Sequence, residues 1–482
     1  MGMPRSKHWQ RWLKILVALL AVGGAVGFTA WYKLLREEPQ HFDSPEEQFK
    51  YGSIGTEATE GLPYWVWLVL PRVFGDHLPG PGGYTSLGIV WEEGRETPVG
   101  FSKKTVGFPR IGINCALCHT GSYRTDPRQA PTIVPGAPAT RLDVLGYQRF
   151  LFACASDPHF TADHILPQIE YNIKLSWLDR LLYRYVIIPR TRDGLLQAKQ
   201  RFAWTDSRPP WGCGRIDPFN PVKFHQLGMD PAKDSSIGNS DMEPLWNRAA
   251  RKGHQLHWDG LNDSLTEVIL SGAIGDGATP KTLPYDDLKR MEAWLQYLPP
   301  PRYPFEINAE LAAKGEPLFQ RLCADCHAPH GSRIGQVIPI AELGTDNHRL
   351  GMWSQEAANR YNNYPTHASW RFEHFKKQNG YVAVPLDGLW LRAPYLHNGS
   401  VPTLEDLLEP AAKRPSEFYR GYDVYDRKKV GFVHEGEEAK RAGFLYRTSV
   451  EGNGNAGHEG KAYGTTLSAE EKQALVEYLK TQ

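Results

Sequence analysis

The chain has 482 residues against a usual domain of about 100 to 200, so two domains with additions are expected and a single small module is excluded. Its 41% hydrophobic and 23% charged residues are those of a globular protein, and 55 Lys and Arg against 54 Asp and Glu leave a net charge of +1, without the basic excess of a nucleic-acid binder. Pro (37) and Gly (46) make up about a sixth of the chain, which predicts long ordered loops, while 15 Trp and 22 Tyr argue against wholesale disorder.

At the N-terminus, Arg5, Lys7, Arg11 and Lys14 precede an uncharged run from Ile15 to Tyr32, followed by Lys33, Arg36, Glu37 and Glu38. The run is just long enough for a transmembrane helix of about 17 to 25 residues, with Trp9, Trp12, Trp31 and Tyr32 near its edges. The basic side is expected to stay in the cytoplasm. That makes the chain a single-pass protein of the inner membrane, with its folded part in the oxidising periplasm. The alternative is a cleaved signal peptide. Its apolar core is usually only about 7 to 15 residues, and Phe28-Thr29-Ala30 is a poor cleavage site.

Four of the six cysteines form two C-x-x-C-H runs, Cys115-Ala-Leu-Cys118-His119 and Cys323-Ala-Asp-Cys326-His327. This is the attachment signature of c-type haem: two thioether bonds meet the two vinyl groups of one porphyrin, and the adjacent imidazole rises under the iron. Zinc would need a second cysteine pair close by, whereas these runs lie far apart in the chain. Two covalently bound haem c groups are therefore expected. Cys154 and Cys213 remain, either as two buried thiols or as a bridge closing a loop of about 60 residues, worth about 4 kcal/mol on the chain-entropy argument.

Helices are predicted at Leu142 to Cys154 and Ile165 to Tyr185, inside a long insertion after the first haem peptide, and at Asp286 to Leu298, which ends at Pro299-Pro300-Pro301. No ordinary helix can lead into Cys115, because Gly107 to Ile113 contains Pro109 and two glycines. By contrast, Ala309 to Leu322 reads as a helix running into Cys323, and Ser468-Ala-Glu-Glu471 is a capping box opening a final helix from Leu467 to Lys480. The expected fold is mainly α: an N-terminal segment 1–36, a haem c domain with a large insertion over 37–301, and a cytochrome c domain over 302–482, joined by long irregular loops.

Three further strings carry a family likeness: Leu256-His257-Trp258-Asp259-Gly260, Pro394-Tyr395-Leu396-His397-Asn398-Gly399-Ser400 and Gly454-Asn455-Ala456-Gly457-His458. With two haem peptides in this order, the chain resembles the bacterial di-haem cytochrome c peroxidase superfamily, and in particular the branch of the di-haem rubber oxygenases. The resemblance implies His119 and His327 as proximal iron ligands, Trp258 as the aromatic residue between the haems, a reactive N-terminal haem and an electron-exchanging C-terminal one. It further implies a supporting role for His397 near a haem. The sixth ligand of the second haem is expected from the loop before the closing helix. The last methionine, Met352, comes much too early, so His458 is expected there, with His397 as the rival.

The chain also departs from the peroxidase pattern. After the Trp258-Asp259-Gly260 string no acid occurs in Val268 to Gly275 until Asp276, so a small apolar distal wall suited to dioxygen or a hydrophobic molecule is expected. Candidates for the sixth position of the first haem are His159, His164, His225, His254, His257 and Met229. Two readings follow. One is a haem oxidoreductase acting on dioxygen or peroxide, and the other is a pure electron carrier with two six-coordinate haems; both need a periplasmic or membrane electron donor or acceptor.

Overall fold

A computed structural model describes residues 7–368 and 370–482; Arg5 of the expected basic flank lies outside them. Helix makes up 45% of the chain. Among the described residues, strands form one three-stranded antiparallel sheet and five short antiparallel pairs.

The N-terminal helix runs from Lys7 to Leu34. Its apolar part, Trp9–Leu34, has a mean hydropathy of 2.0 with no residue buried in the protein, the length and composition of a membrane anchor or a signal sequence. The helix end is tied to the body. Gly107 donates its N–H to Arg36 at 2.7 Å with φ of +76°, and a Cβ there would fall 2.2 Å from the Leu34 carbonyl carbon, so only glycine permits this approach.

The Gly107 turn joins strands Phe101–Val106 and Phe108–Ile113, paired from Phe101 opposite Ile113 to Val106 opposite Phe108. A strand therefore delivers the first C-x-x-C-H peptide, in keeping with the Pro and Gly content before it. The insertion contributes helices Val144–Ser156, Ala162–Asn172 and Ile188–Arg201. The helix expected at Ile165 to Tyr185 is broken: Ile173 is extended, and Ser176 caps a new start by accepting from the N–H of Asp179 at 3.1 Å.

In the C-terminal part the helix Ala309–Leu322 crosses the final helix Ala469–Leu479 at Gly315, where a Cβ would meet the Ala474 carbonyl oxygen at 2.0 Å. Phe319 and Tyr478 pack beside the crossing with ring centroids 5.1 Å apart. The expected capping box at Ser468 and Glu471 is present. Among the described residues three hydrophobic cores result. One surrounds Trp67, Tyr84 and Phe150, and another surrounds Phe319, Trp390 and Leu475. The remaining core spans the three-proline run, joining Phe49, Ile269 and Leu295 to Trp353, Tyr361 and Phe375.

Candidate functional site

Both C-x-x-C-H peptides fold into a single helical turn. The N–H of His119 donates to the Cys115 carbonyl at 3.1 Å, and that of His327 to the Cys323 carbonyl at 2.9 Å. Before the first turn, the Asn114 side chain accepts from the N–H of Ala116 at 3.0 Å and donates to the Gly52 carbonyl at 2.9 Å, anchoring the peptide to the end of the helix Pro45–Tyr51. Before the second, the Ala309–Leu322 helix ends on Cys323.

The two histidines are held in the same way. His119 Nδ1 donates to the Glu243 carbonyl and His327 Nδ1 to the Val384 carbonyl, both at 2.7 Å. This fixes ring orientation and tautomer and leaves Nε2 as the free donor atom, the arrangement of metal-bound histidines. Burial pushes His119 down to about 4 and lowers His327 as well, so both stay neutral, the form that binds metal. Among the described residues no three His, Cys, Asp or Glu side chains gather into a metal-ion site, which leaves zinc without a ligand set.

The surroundings of the two histidines differ. His327 faces His458 with ring centroids 6.3 Å apart. Metal–imidazole bonds of about 2 Å on both sides put the centroids of two opposed rings about 6 Å apart, so this pair fits an iron held between them. His458 sits in a strained left-handed backbone, φ +49°, and its N–H donates to the Leu343 carbonyl at 2.8 Å. The buried Arg414 guanidinium donates to the carbonyls of Gly457 at 2.9 Å and His458 at 3.3 Å, holding the loop closed. Burial pushes His458 down to about 3, and its Nδ1 is buried without a partner.

His119 opens instead into a cavity of about 430 Å³, whose lining includes Cys115, Cys118, Trp258, His257 and Asp276. That volume suits a bound organic group, for which pockets hold about 300–1,000 Å³. The expected small apolar wall is present, with Val268, Ile269, Gly272 and Gly275 in the lining, and Asp276, on which the helix Leu265–Gly275 ends, joins it. Burial with no opposing charge pushes Asp276 up to about 7.

Of the sixth-ligand candidates, His159 and His164 lie at the surface, bonded to Asp157 and Thr161, and His225 lines the cavity with its Nε2 3.2 Å from the Arg201 carbonyl. His254 packs against Gly335, and Met229 lies between two hydrophobic cores. His257 faces the cavity with φ of +62°, and its Nε2 is buried with no partner.

Trp258 links the two sites through its own bonds. Its indole N–H donates to the Asp241 carbonyl at 2.8 Å, two residues before the Glu243 carbonyl that fixes His119. Its carbonyl accepts from the N–H of Val382 at 2.8 Å, two residues before the Val384 carbonyl that fixes His327. Asp259 pairs with buried Arg349 at 3.3 Å, and Asp241 with Arg420 at 2.8 Å. His397 is buried in the same seam. Its ring stacks on Tyr381 at 4.0 Å with Nε2 at 2.9 Å from the Tyr381 hydroxyl, and its carbonyl accepts from the N–H of Asp241.

Cys154 and Cys213 are free thiols; the first lies in the Trp67 core and the second against Gly421. The carbonyls of Glu243 and Val384 carry no sequence signal, because any residue supplies a carbonyl. Tyr381 and Arg349 stand in no recognisable string.

Residues 380–420, which contain the Val382–Val384 segment and His397, match the family described as RoxA-like, cytochrome c-like, and such a domain implies covalently bound haem c. The chain is also similar to two proteins of Sinorhizobium fredii (strain NBRC 101917 / NGR234), both described as uncharacterized. With y4iM it is 31% identical over 284 residues, covering 50% of this chain and 64% of that protein's length. With y4iJ it is 32% identical over 477 residues, covering 77% of this chain and 76% of y4iJ. The chain therefore belongs to the family of y4iJ and carries within it a RoxA-like, cytochrome c-like segment.

Proposed function

We propose that the chain is a membrane-anchored, periplasmic di-haem c-type oxidoreductase with one reactive and one electron-exchanging haem. Cys115 and Cys118 would attach the first haem and Cys323 and Cys326 the second, with His119 and His327 as proximal ligands and His458 as sixth ligand of the second. Bound in these places, haem iron supplies one-electron redox chemistry and, where a coordination position is free, a site for dioxygen or peroxide. The observation that carries the reading is the asymmetry of two equally held histidines: His327 is faced by His458, while His119 faces a cavity.

The protein's own groups then divide the work. The Glu243 and Val384 carbonyls orient the two imidazoles. Trp258, bonded to both supporting segments, is the residue through which electrons pass between the sites. Asp276, protonated up to about pH 7, donates or accepts a proton at its carboxyl oxygen inside the first cavity. The electron donor or acceptor is a periplasmic or membrane redox partner.

Two covalent haems predict a pyridine haemochrome value of two per chain and no haem lost to acid acetone; one haem per chain overturns the proposal.

A second reading, a pure electron carrier, is favoured by one observation: the partnerless Nε2 of His257 in the first cavity. His257→Ala separates the two. In a carrier ligated by His257 the substitution turns the first haem from low-spin to high-spin in electron paramagnetic resonance, and in the oxidoreductase it leaves the spin state unchanged.

A further inference from the structure

The insertion leaves a row of large apolar side chains uncovered. Tyr171, Trp177 and Tyr185 are 81%, 75% and 68% exposed, and Leu181 and Val186 are exposed beside them. Trp177, Leu181 and Tyr185 are spaced by four residues along a helical stretch, so they share one face, while Tyr183 and Ile187 point the other way into the Trp67 core. A contiguous aromatic and aliphatic patch of this kind marks an interaction surface, unlike singly scattered apolar residues.

The patch adjoins the end of the N-terminal helix. Lys33, in the last turn of that helix, pairs with Asp179 at 2.8 Å, and Asp179 sits between Trp177 and Leu181 on the same short helix. Leu35, just past the helix end, is also 68% exposed. Two further bonds, Gly107 N–H to the Arg36 carbonyl and Glu38 N–H to the Thr105 carbonyl, seat the helix end on the Phe101–Ile113 hairpin. Between Tyr171 and Arg190 stand four basic residues, Lys174, Arg180, Arg184 and Arg190. Arg180 pairs with Glu170 and Arg184 with Asp163, both at 2.5 Å, and Asp179 pairs with Lys33, so among the described residues Lys174 and Arg190 remain as cations without an acidic partner. Trp and Tyr flanked by Lys and Arg are the composition of a surface lying at the headgroup level of a bilayer.

We propose that the face formed by Tyr171, Trp177, Leu181, Tyr185 and Val186 docks on the periplasmic leaflet of the bilayer crossed by the N-terminal helix. The proposal rests on the anchor reading of that helix. Docking holds the body in one orientation, because the anchor end and the patch are two attachments instead of one. The helix Ile188–Arg201, which continues from the patch, lines the first cavity through Leu195 and Ala198, so one helix joins the docking face to the first haem site.

The test uses the full chain in nanodiscs of phosphatidylethanolamine and phosphatidylglycerol, assembled with one protein each so that no second copy can cover the patch. Leu181→Cys and Tyr185→Cys are labelled with a membrane-impermeant maleimide and compared with Tyr297→Cys, a 77% exposed position on the Tyr285–Tyr297 helix; the parent chain, with Cys154 and Cys213, sets the background. Burial of about 5–10 Å into the interface is expected to slow labelling at 181 and 185 on the order of tenfold or more relative to 297. Equal rates at the three positions in a chain of intact mass overturn the docking and leave the anchor standing. A purified chain whose mass lacks the N-terminal helix overturns the anchor reading and the docking with it.

Discussion

His458 and Asp276 give the two sites their different characters, and each is tested by one substitution. His458→Ala removes the ring facing His327 at 6.3 Å. The second haem should then turn from low-spin to high-spin and its potential should shift, as electron paramagnetic resonance and a redox titration would record; an unchanged low-spin signal, lost instead in His397→Ala, would assign the ligand to His397. Asp276 is pushed from its ordinary range near 4 up to about 7 by burial. It therefore holds its proton at pH 6 and has lost it at pH 8, so a step that takes this proton slows as pH rises through about 7. Asp276→Asn should lower the rate at pH 6 and flatten that pH limb; a limb that persists places the titrating group elsewhere. The same shift has a stability consequence: the native state binds this proton more tightly than the unfolded chain, so stability falls as pH rises between about 4 and 7. Trp258→Phe keeps an aromatic ring but loses the indole bond to the Asp241 carbonyl. Slower electron transfer between the haems, with both haems still bound, is the expected outcome in stopped-flow measurements.

At the scale of elements, the crossing of Ala309–Leu322 with Ala469–Leu479 depends on Gly315. Gly315→Val drives a branched side chain into the Ala474 backbone and should cost about 1–3 kcal/mol or more, seen as a lower melting temperature of the holoprotein. Arg414→Ala frees the carbonyls of Gly457 and His458 and should give a mixed-spin second haem, because the loop is no longer held against the His327 side. These elements were the legible ones. A capping box at Ser468 and an apolar stripe ending at Cys323 are local signals, and the structure has both helices within two residues of their expected ends. The Ile165 to Tyr185 stretch was misread because its apolar residues continue through Ile173 and Leu175, while the cap at Ser176 that restarts the helix lies inside the run. The apolar wall from Val268 to Gly275 is legible in the sequence, and the place of the acid beside it is not. Asp276 follows the helix instead of lying in it, and only the tertiary path of that helix end turns the carboxyl inward.

For the whole molecule, the seam between the sites is where sequence reasoning had least to work with. The strings around Trp258 and His397 were visible, yet their meaning lies in bonds to the carbonyl and amide groups of distant segments, which no composition or spacing reveals. That seam ties together the segments that support two C-x-x-C-H peptides far apart in sequence: Trp258 is bonded to both supports, and the pairs Asp241–Arg420 and Asp259–Arg349 flank it. Two haems that are not equivalent are expected, one closed by a histidine and one open to a small ligand. Titration of the fully reduced full-length chain with carbon monoxide tests this most directly. One of the two haems should shift its Soret band and bind one carbon monoxide per chain, whereas binding at both haems or at neither would contradict the division into one closed and one open site.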